Sequence, residues 1–162
     1  MKRSGFSLLQ VLIYVSLLAM ISLLVIGSIL SVYRALLKTK IEKKIITNGD
    51  IAIETMARSI RDASSVDVAG STFGANPGVL KLNSRKFYLS TSTLEVQDGI
   101  KPAQDLTSSD AKVTSLVFYR DFSSASSTLS DIIKIEITVE SGDGQFLKSK
   151  KFYNSAVLRG EY

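Results

Sequence analysis

The side chains that most often carry out covalent catalysis are missing from this chain. Its 162 residues include no His and no Cys. A Ser-His-Asp triad, a Cys-His pair, a thiolate or imidazole zinc site and a disulfide framework are therefore excluded. The sequence also has no Walker-type phosphate loop and no dinucleotide-binding glycine motif after a strand. We expect no enzymatic activity, no cofactor and no small-molecule substrate.

Charged residues near the C-terminal end are the remaining candidates for ligand binding. Glu140 and Asp143 flank a turn, but they lack the carboxylate spacing of a calcium-binding loop, so we predict no metal site. Residues 148–153 combine three lysines with two aromatic residues, a composition that suggests a nucleic-acid-binding surface. Because side chains alternate between the two faces of a strand, only Lys148 and Lys150 would share one face. Two lysines are too few for a nucleic-acid-binding surface. A solvated edge strand is favoured, and nucleic acid stays an alternative partner.

An uncharged segment near the N-terminus dominates the organisation of the chain. Residues 6–33 contain no charged side chain. As a helix, this segment would be about 42 Å long, whereas a bilayer core of about 30 Å needs about 20 apolar residues. The apolar run is also longer than that of a cleaved secretory signal. We therefore predict a transmembrane helix over residues 6–33.

The charges beside this span point to a cytoplasmic C-terminal part. The dipeptide Lys2-Arg3 precedes the span, whereas five basic residues between Arg34 and Lys44 follow it, with Glu42 as the one acidic residue among them. The positive-inside rule places such a cluster in the cytoplasm. The basic cluster 38–44 is either a contact with anionic lipid head groups or a solvated helix face, and the solvated face is favoured.

The first residues of the chain resemble the leader of one protein superfamily. Residues 2–13 read Lys-Arg-Ser-Gly-Phe-Ser-Leu-Leu-Gln-Val-Leu-Ile. This pattern is similar to the prepilin-type cleavage and methylation motif of the type IV pilin and type II secretion pseudopilin superfamily. The resemblance implies that a prepilin peptidase cuts between Gly5 and Phe6 and that Phe6 is then N-methylated. It also implies a cytoplasmic leader and an extracytoplasmic C-terminal domain, against the charge count.

One position departs from the superfamily pattern. The fifth mature residue is Glu in most members, and here it is Gln10. The resemblance implies that this side chain contacts the N-terminal amine of a neighbouring subunit during assembly. An amide can hydrogen-bond, but it cannot neutralise an ammonium group. Gln10 therefore predicts a minor subunit present in few copies, and a neutral substitution at this position is the alternative.

Beyond the span, the apolar periodicity of a helix continues over residues 34–62. Apolar residues recur there at intervals of three, four and seven, which is typical of an amphipathic helix. The stripe consists of Leu37, Ile41, Ile45, Ala52, Met56 and Ile60. Because the apolar phase is kept across Gly49, we expect one continuous helix.

From residue 63 the pattern changes to short alternating runs that predict β-strands. The predicted strands are 79–82, 86–89, 93–96, 113–119, 132–139, 145–153 and 157–158, with linkers at 69–78, 99–112 and 123–130. In 132–139 every second residue is apolar, so one face should be buried. We predict an α+β fold, with a leader at 1–5 and a long N-terminal helix packed against an antiparallel β-sheet head at 63–162.

Three short stretches of the chain are similar to one branch of the superfamily. Residues 57–63, 117–121 and 157–160 resemble segments of J-type pseudopilins and W-type minor pilins. The resulting hypothesis is a minor pilin-like structural subunit of a type IV pilus, type II secretion or DNA-uptake filament. Its implied partners are the prepilin peptidase, other pilin-like subunits and inner-membrane lipid. The alternatives are a signal-anchored extracytoplasmic protein with a binding or carboxylate-based hydrolase head, and a DNA-binding minor pilin.

Overall fold

The computed structural model describes residues 7–123 and 130–158 and has an α+β architecture, as the sequence predicts. One helix, α1 (Leu8–Asp62), precedes seven strands in this part of the chain. The strands are β1 (Leu80–Lys81), β2 (Arg85–Ser90), β3 (Thr93–Asp98), β4 (Gln104–Asp105), β5 (Lys112–Ser123), β6 (Ser130–Ser141) and β7 (Lys148–Val157). The predicted leader 1–5 and Phe6 lie outside the described residues.

The chain divides within α1 into two compact units, Met1–Thr39 and Lys40–Tyr162. We call these the N-terminal unit and the C-terminal unit. No residue from 7 to 39 is buried, whereas the part of α1 in the C-terminal unit buries eight residues. α1 passes Gly49 without interruption, which confirms the predicted continuity.

Gly49 has a packing role that its sequence neighbourhood does not reveal. A Cβ atom at this position would lie 2.3 Å from the ring of Phe152 in β7. Glycine costs about 1 kcal/mol relative to alanine inside a helix. Here it allows the aromatic ring to pack directly on the helix backbone, and both residues are buried.

The strands form two antiparallel sheets rather than the single sheet that the sequence suggested. Their strand orders are β1-β2-β3-β4 and β5-β6-β7. Buried side chains of both sheets join those of α1 in one apolar cluster. The alternation predicted along β6 is confirmed, because its buried apolar residues are Ile133, Ile135, Ile137 and Val139.

Two predicted boundaries at the C-terminal end are wrong. β7 runs unbroken from Lys148 to Val157, so 157–158 is not a separate strand; Leu158 follows it and donates a backbone hydrogen bond to Asp131 at 2.9 Å. The strand does not begin at 145 either, because Gly144–Phe146 forms a 3-10 turn. Gly142 starts this reversal with a φ of +96°, a conformation that side chains other than glycine rarely adopt.

The predicted linkers contain short pairings that were missed. The linker 99–112 contains β4, which pairs with β3. In the linker 69–78, Thr72 forms an isolated bridge with Val79. A two-residue pairing is too short to show a period of two, so the pattern could not reveal it. In the linker 123–130, residues 124–129 lie outside the described residues.

Candidate membrane and assembly site

The helix of the N-terminal unit presents apolar side chains in every direction. From Leu8 to Leu36, its large apolar side chains are between 49% and 84% exposed. The most apolar window of 18 residues in α1 has a mean hydropathy of 2.6. A helix that is apolar all round needs an apolar environment, either a protein core or a membrane. By length and composition, α1 is able to span a membrane.

Three serine hydroxyls in this segment are satisfied within the helix itself. Ser16, Ser22 and Ser28 each donate a hydrogen bond to a backbone carbonyl three or four residues earlier, at 2.8–2.9 Å. An unsatisfied polar group costs several kcal/mol in hydrocarbon. These bonds therefore make the three serines compatible with a lipid environment.

Gln10 is paired with a residue that sequence reasoning did not single out. Its Nε2 donates a hydrogen bond to the hydroxyl oxygen of Tyr14 at 3.0 Å, one helical turn later. Within the described residues, Gln10 Oε1 has no partner. The separation of four residues was the available signal, because such pairs share a helix face. The two predicted processing residues, Gly5 and Phe6, lie outside the described residues.

Two charged side chains of the region that follows the span form ion pairs within the C-terminal unit. Lys44 Nζ lies 2.7 Å from an Asp110 carboxylate oxygen, and Lys148 Nζ lies 2.9 Å from one of Glu42. The hydrogen bond from Lys148 lowers the pKa of Glu42, and the bond from Lys44 lowers the pKa of Asp110. Lys44 thus forms an ion pair with the turn before β5, whereas Lys38, Lys40 and Lys43 are exposed, as expected for a solvated face.

Most acidic side chains of the C-terminal unit face a Lys or Arg. The carboxylates in such pairs are those of Glu42, Glu54, Asp67, Asp98, Asp110, Asp121, Asp131 and Glu136. Within residues 7–123 and 130–158, acidic side chains form no group of three or more that could hold a metal ion. Glu140 and Asp143 line a cleft together with Lys112.

Each lysine of the segment 148–153 has a partner inside the C-terminal unit. Lys148 pairs with Glu42, and Lys151 lies 3.2 Å from Glu136. The Lys150 ammonium lies 5.2 Å from the centroid of the Phe152 ring. β7 is at the edge of its sheet, as the sequence predicts. Lysines on such a strand oppose pairing with foreign strands.

Comparison of this chain with models of known protein families, with curated proteins and with solved structures finds no match. A functional assignment therefore depends on the N-terminal motif and on the geometry described above.

Proposed function

We propose that this chain is a non-enzymatic, minor pilin-like structural subunit. A prepilin peptidase cuts it between Gly5 and Phe6, and the apolar helix holds it in the inner membrane. It then joins other pilin-like subunits in a filament of a type IV pilus, a type II secretion system or a DNA-uptake machine. The observation that best supports this proposal is the leader-like pattern of residues 2–13. It is followed by a helix whose large apolar side chains are exposed from Leu8 to Leu36.

The exposure of the N-terminal unit suits a subunit that moves from lipid into a filament. Lipid tails cover the helix before assembly, and neighbouring helices cover it afterwards. Because both surroundings are apolar, close packing and hydrogen bonds between helices decide the association. Gln10 and Tyr14 supply polar groups on one helix face for such contacts.

Gln10 supports the assignment as a minor subunit. A free ammonium at Phe6 is costly among apolar neighbours unless something compensates its charge. Gln10 Nε2 bonds to Tyr14, so Oε1 is the acceptor that remains. One amide dipole does not neutralise an ammonium group, so every added copy leaves one amine poorly matched. We therefore expect few copies, at the start or end of a filament that other pilins extend.

Quantitative mass spectrometry of sheared filaments tests this assignment. We expect Gln10→Glu to raise the number of copies per filament, since a paired carboxylate offsets its own burial cost. Gln104→Glu, which adds the same charge at an exposed position in β4, should leave the copy number unchanged. If the wild-type chain is already the most abundant subunit, the assignment as a minor subunit is wrong.

The proposal also fixes the orientation in the membrane. We place the head, residues 63–162, outside the cytoplasmic membrane, against the positive-inside count. One of the five basic residues in the 34–44 region, Lys44, forms an ion pair with Asp110 inside the C-terminal unit, which weakens the use of this region as a topology signal. Protease added to intact spheroplasts should digest the head. Complete protection until the spheroplasts are lysed would contradict the pilin-like assignment.

A further inference from the structure

The outer face of the sheet β5-β6-β7 carries two exposed tyrosines. Its inner face contributes Phe118, Ile135 and Phe152 to the core. Because side chains alternate along strands, Tyr119 of β5 and Tyr153 of β7 project from the opposite face. They are 43% and 66% exposed, and they line a cleft of about 500 Å³. In the described residues, no other element covers this cleft.

The two tyrosines stand on either side of the central strand β6. Tyr119 pairs with Lys134, and Tyr153 pairs with Glu136 two residues further along β6. A strand spacing of about 4.8 Å and a rise of about 3.4 Å per residue put the two Cα atoms about 12 Å apart. Lys134, Glu136 and Ser155 line the cleft beside the rings. The face therefore combines two aromatic surfaces with hydrogen-bonding groups beside them.

The charges on this face cancel in pairs. Lys134 forms an ion pair with Asp121, and Lys151 Nζ lies 3.2 Å from a Glu136 carboxylate oxygen. The hydrogen bond to Glu136 raises the pKa of Lys151, and the charge of Glu136 and the nearby Tyr153 and Tyr119 add to the effect. A polyanion such as nucleic acid or an acidic membrane needs cations that are not already neutralised. The neutral balance favours an uncharged ligand.

The backbone around the cleft does not accept an added strand. β6 pairs with β5 on one side and with β7 on the other along its length. The two edge strands are β5 and β7. The backbone amides of Gly74 and Gly78 bond to Phe118 and Leu116 on the outer edge of β5, and the lysines of β7 disfavour strand addition. A peptide that binds by extending a sheet therefore does not fit, and recognition must use side chains.

We propose that this face binds a neutral oligosaccharide. The apolar faces of its sugar rings stack on Tyr119 and Tyr153, since aromatic rings offer large, flat apolar surfaces. The sugar hydroxyls donate to Glu136 and accept from Lys134, and Ser155 can do both. A few polar groups beside an apolar surface are the usual composition of a small-molecule site. This binding does not depend on filament assembly.

Isothermal titration of the full chain in detergent micelles tests the proposal. The probes are the neutral hexasaccharides of glucose and of N-acetylglucosamine, and oligo(dT) serves as a charged competitor. We expect at least one hexasaccharide to bind, and Tyr153→Ala and Tyr119→Ala each to weaken binding about tenfold through lost stacking. Tyr153→Phe keeps the ring and should retain most of the affinity.

Tyr88→Ala is the matched control, because Tyr88 lies on β2 in the other sheet. It should leave hexasaccharide binding unchanged. No binding of any hexasaccharide at millimolar concentration would overturn the proposal. Equal losses in Tyr88→Ala and Tyr153→Ala, or tyrosine-dependent binding of oligo(dT) alone, would overturn it as well.

Discussion

The two parts of α1 are both rich in apolar residues, yet they differ in what covers them. In the C-terminal unit the apolar residues share one face, and eight residues of the helix are buried against the strands. In residues 7–39 they surround the helix, and none of them is buried. An apolar stripe on one face of a helix can be covered by the two sheets of the same chain. A helix that is apolar on all sides needs an apolar environment, such as a membrane or neighbouring helices, to cover it.

Among the described residues, side-chain hydrogen bonds between distant residues occur in the C-terminal unit but not in the N-terminal unit. In the N-terminal unit, three serines and Gln10 bond within one turn of the same helix. In the C-terminal unit, the pair of Glu42 with Lys148 joins residues 106 positions apart. Local bonds survive a change of surroundings, whereas long-range pairs depend on the folded unit. The N-terminal unit therefore suits transfer between lipid and protein.

The largest expected difference between the units is the effect of removing a large apolar side chain. Phe118 is fully buried, so Phe118→Ala should lower the free energy of unfolding by about 3–5 kcal/mol. Leu24 is 72% exposed, so Leu24→Ala should leave it unchanged within about 0.5 kcal/mol. Urea unfolding in detergent, followed by near-UV circular dichroism, measures both. If Leu24→Ala lowered the free energy of unfolding as much as Phe118→Ala does, the proposed difference between the two units would be wrong.

A smaller effect separates the two glycines of α1. Gly49→Ala places a Cβ 2.3 Å from the Phe152 ring, and overpacking of this kind costs about 1–3 kcal/mol. Gly27→Ala meets no atom within 4 Å, so the higher helix propensity of alanine should make it neutral or stabilising. The same unfolding assay compares them. Restored stability in Gly49→Ala/Phe152→Leu would identify the ring as the cause, and a stabilising Gly49→Ala would refute the close packing.

The smallest expected effect is the response of the ion pairs to acid. The pKa values of Glu42 and Asp110 are lowered from 4.5 and 3.8, so their contribution to stability is present above those values. It is lost as the pH falls through the lower pKa values of the folded state. The protection factors of the amides of residues 41–48, which correct for the intrinsic pH dependence of hydrogen exchange, should therefore fall below about pH 4. Lys148→Ala should reduce this acid response, and an unchanged response would show that Glu42 does not contribute.

Strong periodicity predicted the parts of the fold that depend on neighbouring residues. The long helix and the alternation of Ile133 to Val139 follow from repeats over many residues. The bond between Gln10 and Tyr14 is also local, and a search of residues four apart would have found it. In any apolar helix, polar residues that are four positions apart can be identified from the sequence as candidates for such a hydrogen bond.

Contacts between distant residues account for what the sequence did not predict. Nothing near Gly49 indicates that Phe152 packs on it, because the two residues are 103 positions apart. The division into two sheets depends on which strands pair, and strand patterns alone do not specify that. Tyr119 and Tyr153 are likewise brought to one face by β6, which lies between their strands.

The intact mass of the protein from cells with an active prepilin peptidase tests the central claim most directly. We predict a mature chain that begins at Phe6 with a methylated N-terminus and has lost Lys2 and Arg3, which leaves 18 of its 20 basic residues. Gly5→Val should prevent the cut, because a branched side chain denies the peptidase close approach to the backbone. Gly27→Val, the control, should be processed normally. An uncut wild-type chain, or a mature start beyond Leu30, would contradict the pilin-like assignment.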